Sequence, residues 1–234
     1  DLAGLKAAIS LASGFSGSGQ CLVEHYVEGQ LFSHSAFIQN GEIALAFVVE
    51  EHGTANPFVV DTSRVVYDFD EAMLQSINMD IGKIINKLGL NSGLIHTQFV
   101  VRGDSYWLIE VTRRCPGDQY SMLIELSTGF PYAEAYATPF VNENFKFEDV
   151  VLRESWVMRH TITQAKQGVL GSLNFKCPVN IDKLIPLSVA GDLIKESPFS
   201  RIALMFARSE SAQGLDLLFK RTLERELYSI CEDQ

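Results

Sequence analysis

The stretch Leu94-Ile95-His96-Thr97-Gln98-Phe99-Val100-Val101-Arg102-Gly103-Asp104-Ser105-Tyr106-Trp107-Leu108-Ile109-Glu110-Val111-Thr112-Arg113-Arg114 holds two apolar, alternating runs around a polar turn. That alternation, broken by Gly and Asp, predicts a β-hairpin of Leu94 to Val101 and Tyr106 to Val111. Successive side chains of a strand point to opposite faces, so His96, Gln98 and Val100 form one set and Tyr106, Leu108, Glu110 and Thr112 another. With a three-residue loop, Gly103 to Ser105, Arg102 pairs with Tyr106 and Gln98 faces Glu110 directly, their Cβ atoms about 4.5 to 5.5 Å apart. A two-residue turn would slip the register by one and send the two side chains to opposite faces. A carboxylate beside an amide oxygen suits a hard cation such as Mg²⁺, whose octahedron is completed by water and phosphate oxygens. Arg113 and Arg114 follow directly, and guanidinium groups fork onto phosphate or carboxylate. The expectation is an anionic-ligand site beside a cation.

Working outward, Asp1 can cap a helix, residues 14–19 are flexible by composition, and Cys21-Leu22-Val23 reads as a short buried strand. Asn40-Gly41 between the apolar runs of Ser33 to Glu50 is a strong hairpin signal, because both turn positions take positive φ. Met73, Leu74, Ile77, Ile81, Ile84, Ile85 and Leu88 recur at helical spacing over Asp70 to Leu88, with Gly89 as the stop. Further helices are expected over Gln119 to Ser127, after Pro131, and over Ser211 to Ser229. From Arg153 onward, short apolar stretches broken by Gly and Pro suggest a small β-rich unit. The fold class is α+β, an antiparallel sheet with flanking helices over residues 1–150 and a β-rich unit over 151–234.

Composition excludes several functions. A net charge of -10 with no cluster of Lys and Arg among aromatics argues against nucleic acid as a partner. No run of about 18 apolar residues and no basic leader appears, so neither a membrane span nor a signal peptide is expected. Cys21, Cys115, Cys177 and Cys231 lie far apart, which fits free thiols of a reducing cytoplasm rather than a metal knuckle or a disulfide framework.

Leu108-Ile109-Glu110-Val111-Thr112-Arg113-Arg114 resembles the metal-binding strand of ATP-grasp enzymes, commonly Glu, an apolar residue, Asn, any residue and Arg. Leu22-Val23-Glu24-His25-Tyr26-Val27-Glu28-Gly29 resembles their adenine hinge. The order of elements resembles biotin carboxylase and carbamoyl-phosphate synthetase, and in the latter the first metal ligand is a Gln, as at Gln98. The resemblance covers residues 1 to 140 well and the rest loosely. It implies an ATP-dependent carboxylate–amine ligase that forms carbon–nitrogen bonds through an acyl phosphate. ATP and Mg²⁺ (or Mn²⁺) are the implied cofactors, and a small-molecule carboxylate and an amine the implied substrates; the oligomeric state, a homo-oligomer included, stays open.

By the same resemblance Glu24 holds the adenine amino group, backbone groups of His25, Tyr26 and Val27 line the hinge, and Gln98, Glu110 and Thr112 are metal ligands. Arg114 is the catalytic residue, facing the acyl phosphate or its carboxylate precursor. Thr112 stands where Asn is usual, and Leu31 or Phe32 where a Glu often holds the ribose. The family's Gly-rich loop and phosphate-gripping lysines precede the helix with which these residues begin. The chain is therefore expected to carry the metal-binding half of the ATP site, and to be inactive in isolation.

Blander readings stand beside these. One of Arg113 and Arg114 is expected to be a surface residue, His96 a satisfied half-buried histidine, Cys115 a small buried side chain, Asp118 the N-cap of the next helix, and Glu50-Glu51 a solvated strand end. His34 and Ser33 are weaker candidates. Two other classes stay open: a degenerate ATP-grasp domain that binds nucleotide or another anion without catalysis, and an interaction module using the hairpins as a docking surface.

Overall fold

The computed structural model describes residues 1–141, 143 and 145–232. Asn40 and Gly41, at φ of 55° and 80°, turn β1 (Gln30–Gln39) back as β2 (Glu42–His52). On its other side β1 pairs with β4 (Gly93–Arg102), which pairs with β5 (Ser105–Thr112). β3 (Thr62–Val65) joins β2 to β6 (Trp156–Ile162). Two later strands, β8 (Asn180–Pro186) and β10 (Ala203–Ser209), complete one antiparallel sheet of eight strands in the order β5-β4-β1-β2-β3-β6-β10-β8. β7 (Gly168–Phe175), β9 (Leu193–Ile194) and β11 (Tyr228–Glu232) form a separate three-stranded sheet. The large sheet thus runs unbroken past residue 150, where the sequence changes texture.

Helices cover both faces. On the back, α2 (Glu71–Leu88) starts at the Asp70 cap, whose carboxylate accepts from Met73 N at 2.7 Å, and ends at Gly89 in the left-handed region. Its Ile77, Ile81 and Ile85 pack on Ala36, Ile38, Ile95 and Phe99. Fully burying such a side chain stabilises by about 1.5–3 kcal/mol, so this stripe seats the helix. α5 (Ala212–Leu223) continues the back layer under β6 and β10, through Leu215 and Phe219 against Met158 and Met205. On the front, α3 (Tyr120–Thr128) and α4 (Tyr132–Ala137) bring Leu123, Ile124 and Tyr132 against Phe37, Phe47 and Val49. Beside these helices the front face turns polar, with Ser33, Ser35, Glu51, Ser63 and His96 buried there and Ser33 and Ser35 bonded to the hydroxyls of Tyr120 and Tyr132.

Three expectations are corrected. Cys21-Leu22-Val23 belongs to no strand: only the Cys21 thiol rests on α1 (Leu2–Phe15), a helix that buries none of its residues, and Leu22 and Val23 are exposed. The closing helix stops at Leu223, since Arg225 takes φ 58°, and Tyr228 onward is β11 rather than helix. The β4–β5 turn has two residues, as Arg102 pairs with Ser105. Among the described residues no helix is long and apolar enough to cross a membrane.

Candidate functional site

A two-residue turn ought to separate Gln98 from Glu110, yet they are direct cross-strand partners. The resolution is a β-bulge between Gln98 and Phe99: Phe99 pairs with Leu108, Gln98 with Glu110, and Ile109 is the extra residue. Leu108 packs behind the sheet with Phe99, whereas Ile109 and the following Glu110 both line cavities on the front. Register is restored beyond the bulge, so His96 faces Thr112.

Those cavities adjoin. The larger, about 560 Å³, is lined by Glu24, His25, Tyr26 and Val27 on one side and by Pro57, Phe58 and Ile109 on the others. The smaller, about 170 Å³, is lined by His96, Glu110, Thr112, Arg114, Asp118 and Arg159. Glu51, Gln98 and Val60 border both. The hinge candidates and the metal-ligand candidates therefore lie along one continuous depression. Arg113 turns away from it and donates to Ser92 O at 3.0 Å, while Arg114 stays at the cavity. Cys115 is partly buried against the front core, and burial pushes its thiol up. Leu31 lines the larger cavity, and Phe32 stacks on Phe99 behind the sheet.

Two buried charged groups enter the site without a local sequence signal. Glu51, expected to be solvated, is 5% exposed and accepts from Gln98 Nε2 at 2.7 Å. With its amide nitrogen so engaged, Gln98 keeps Oε1 for a ligand. Glu50, also expected in solvent, is tied to His52 and Arg64; burial alone would raise its pKa, but these two partners hold it below the usual value. Arg159 of β6, 3% exposed, donates to Asp118 O at 3.1 Å and Ser63 Oγ at 3.0 Å. Burial pulls its pKa down, opposed by the Asp118 and Glu51 carboxylates. Asp118 is not the expected N-cap: α3 is entered through Gln119 with no side-chain cap, and the Asp118 carboxylate binds Arg201 at 2.6 Å. Asp118 and Gln119, at φ of 56° and 57°, turn the chain sharply, and that turn aims Asp118 at the two arginines.

Burial raises the pKa of Glu51, against hydrogen bonds from Gln98 and Ser33. Its folded carboxyl thus holds a proton more tightly than its unfolded one, so this stability is full at low pH and is lost as pH rises through the folded pKa, above the ordinary carboxylate range. His34 and His96 have pKa values lowered to about 4 and about 3, mainly by burial, and give the opposite slope below about pH 6.5. The Glu51 contribution is therefore read as a difference. Urea midpoints from pH 5 to 8 should fall more steeply for the parent than for Glu51→Gln; parallel curves would dismiss the buried-charge account.

The family model of the ATP-grasp domain matches residues 6–122, half of the chain. The chain belongs to the ATP-grasp family. No curated protein sequence matches it. Among solved structures, it is similar to phosphoribosylglycinamide synthetase from Anaerococcus prevotii, with TM-score 0.72 and 18% identity over 94% of this chain and 57% of that one. It also resembles the L-amino acid ligase from Bacillus licheniformis, with TM-score 0.73 and 16% identity over 89% and 55% of the two chains. A third is the multifunctional pyruvate carboxylase from Rhizobium etli, with TM-score 0.58 and 15% identity over 97% and 22%. These likenesses establish the ATP-grasp fold. The chain spans little more than half the length of the first two.

Proposed function

We propose that this ATP-grasp chain carries the base pocket and the metal-binding side of an ATP site in a ligase that joins a carboxylate to an amine. The observation that carries the reading is the opposition of Gln98 and Glu110 on one face, between a base-sized cavity and Arg114. Base binding falls to Glu24 and the backbone of His25, Tyr26 and Val27. Phosphate-gripping residues outside these 234 complete the site, a reading supported by the greater length of the similar structures, and the isolated chain does not turn over.

The donor set fits a divalent cation, for Glu110, Gln98 and Thr112 offer oxygen alone and Gln98 is oriented by Glu51. Gln98, Glu110 and Thr112 would hold Mg²⁺ or Mn²⁺, which would supply positive charge to the nucleotide phosphates. Arg114 and Arg159 hold the acceptor carboxylate in the smaller cavity. A carboxylate oxygen attacks the γ-phosphorus, the bond to ADP breaks, and an acyl phosphate forms; an amine then attacks the acyl carbon and inorganic phosphate leaves. The arginines meet the charge that spreads over the transferring group without moving to do so.

Thermal unfolding of the intact gene product and of the 234-residue chain, with and without millimolar ATP and Mg²⁺, tests this. Ligand at about 100 times Kd stabilises by roughly 2.7 kcal/mol. The intact protein should shift by that order; an unchanged midpoint would defeat the proposal. Thr112 in the place of Asn favours a second reading, a binder without catalysis, and stabilisation with no ADP release under any carboxylate and amine would select it.

A further inference from the structure

The stretch Gly53-Thr54-Ala55-Asn56-Pro57-Phe58-Val59-Val60-Asp61 leaves β2 and returns as β3. Its ends are clasped by Asp61 N, which donates to His52 O at 2.9 Å, and a Cβ at Gly53 would collide with the carbonyl oxygens of Asn56 and Val59, so the loop is folded tightly on itself. The tip delivers Pro57 and Phe58 to the larger cavity, where the Phe58 ring, 80% exposed, stands edge-on to Tyr26 at 6.4 Å. A ring this exposed gains little from burial, so its place depends on how the backbone behind it is held. Two anchors hold it. The Asp61 carboxylate accepts from Thr54 N at 3.0 and 3.1 Å, from Thr54 Oγ1 at 2.8 Å and from Ala55 N at 3.3 Å. Arg225 donates to the same Thr54 Oγ1 at 3.3 Å and to Thr163 O at 3.2 Å. Among the described residues these are the side-chain hydrogen bonds that reach the loop from outside it.

Both anchors lead to the turn between α5 and β11. Arg225 takes φ 58° in that turn, and its side chain meets Thr54 across 171 residues of sequence. Asp61 is reached through a buried chain: Thr62 Oγ1 donates to its Oδ1 at 2.8 Å and lies 2.7 Å from His160 Nδ1, and His160 Nε2 lies 2.6 Å from the hydroxyl of Tyr228, the first residue of β11. Asp61, Thr62, His160 and Tyr228 are all buried, and hydrogen bonds linked in a low-dielectric interior reinforce one another. We propose that Arg225 and Asp61 are positioning residues of the larger cavity, which hold the Gly53–Val60 loop from the α5–β11 turn so that Phe58 forms the cavity wall beside Tyr26. This deepens the ligase reading, on which the identity of the ligand as a nucleotide rests. Neither Arg225 nor Asp61 lines the cavity, so both act through Phe58. An aromatic side chain adds contact to the flat face of a base without selecting among bases.

Hydrogen exchange of the intact gene product reads the loop directly. Arg225→Met should speed exchange over residues 53–60 by about ten-fold, the worth of one charge-assisted hydrogen bond, while α2 exchanges as in the parent. Thr54→Val, which keeps the shape but removes the hydroxyl that both anchors share, should do the same, and it carries the test should Arg225→Met not fold. Calorimetry with Mg·ATP as the probe then shows whether the anchors act through the ring. Phe58→Ala should bind about ten-fold more weakly than the parent and Thr54→Val about three-fold more weakly, and adding Thr54→Val to Phe58→Ala should change little more. Unchanged exchange over residues 53–60 in the folded variants, or exchange raised equally in α2, would overturn the inference. So would a Thr54→Val loss that persists in full without the Phe58 ring. The ligase reading fails separately: a parent that binds no ATP, with the loop still released by Arg225→Met, keeps the anchors and rejects the nucleotide. ATP binding that Phe58→Ala and Thr54→Val leave unchanged does the reverse.

Discussion

Replacing Glu110 by Gln in the intact gene product should lower ATP turnover by about 100-fold or more while leaving the fold in place. Charge neutralisation by a cation at a transferring phosphoryl group is worth several kcal/mol, and each 1.36 kcal/mol is about a factor of ten in rate. The substitution keeps the shape of the side chain but removes the negative charge that the proposal assigns to holding the cation. Structurally it should be close to silent: Glu110 is exposed and makes no side-chain hydrogen bond or ion pair among the described residues. Surface changes of this kind usually stay within about 0.5 kcal/mol. Urea midpoints measured beside the rates separate a lost ligand from a lost fold. Unchanged turnover in a folded variant would eliminate the cation role.

Arg159→Met should act in the opposite sense, on stability first. The guanidinium is buried beside Glu51 and Asp118 and bonded to Ser63 Oγ. Methionine fills much of the volume but leaves Asp118, the ion-pair partner at 3.6 Å, and the buried Glu51 nearby without the positive charge that faces them. Breaking a buried pair from one side costs about 3–5 kcal/mol, a large part of the roughly 5–15 kcal/mol that holds a domain folded. The mechanism has a signature. If the cost is the stranded Glu51 charge, adding Glu51→Gln to Arg159→Met should recover a substantial part of it, and the double-mutant cycle should show coupling well above the roughly 0.3–0.5 kcal/mol of independent sites. Additive losses would mean that Arg159 stabilises through packing and its bond to Ser63 alone.

These two residues mark how far the sequence could be read. Elements whose signals are local were legible: Asn40-Gly41 demanded two positive φ values, and the isoleucines of α2 declared the face it buries. The opposition of Gln98 and Glu110 was legible as well, but through the wrong turn, because a bulge has no composition of its own and arises from how Phe99 and Leu108 must pack behind the sheet. Glu51 and Arg159 were not legible. Glu51 meets Gln98 across 47 residues of sequence, and Arg159 meets Asp118 across 41, so nothing beside either one announces its burial. Cys21-Leu22-Val23 failed for the converse reason, an apolar run whose Leu22 and Val23 find no partner surface. The residue types after Leu223 permit a helix, and only the left-handed turn at Arg225 decides otherwise.

The bulge at Ile109 also divides the β4–β5 hairpin into two mechanical segments. Toward the tip, pairing is set by the two-residue turn and braced by Arg102 over the Trp107 ring at 5.1 Å. Toward the base, pairing is set by the neighbouring strand β1 and the rest of the sheet. Gly103 and Asp104 at the tip are exposed, and the extra residue separates their register from that of Gln98 and Glu110. A fluorophore or a short peptide tag grafted between those two tip residues would ride on a segment whose alignment does not dictate that of the cavity floor. The tip is thus a natural attachment point for reporting on what enters the site without rebuilding it.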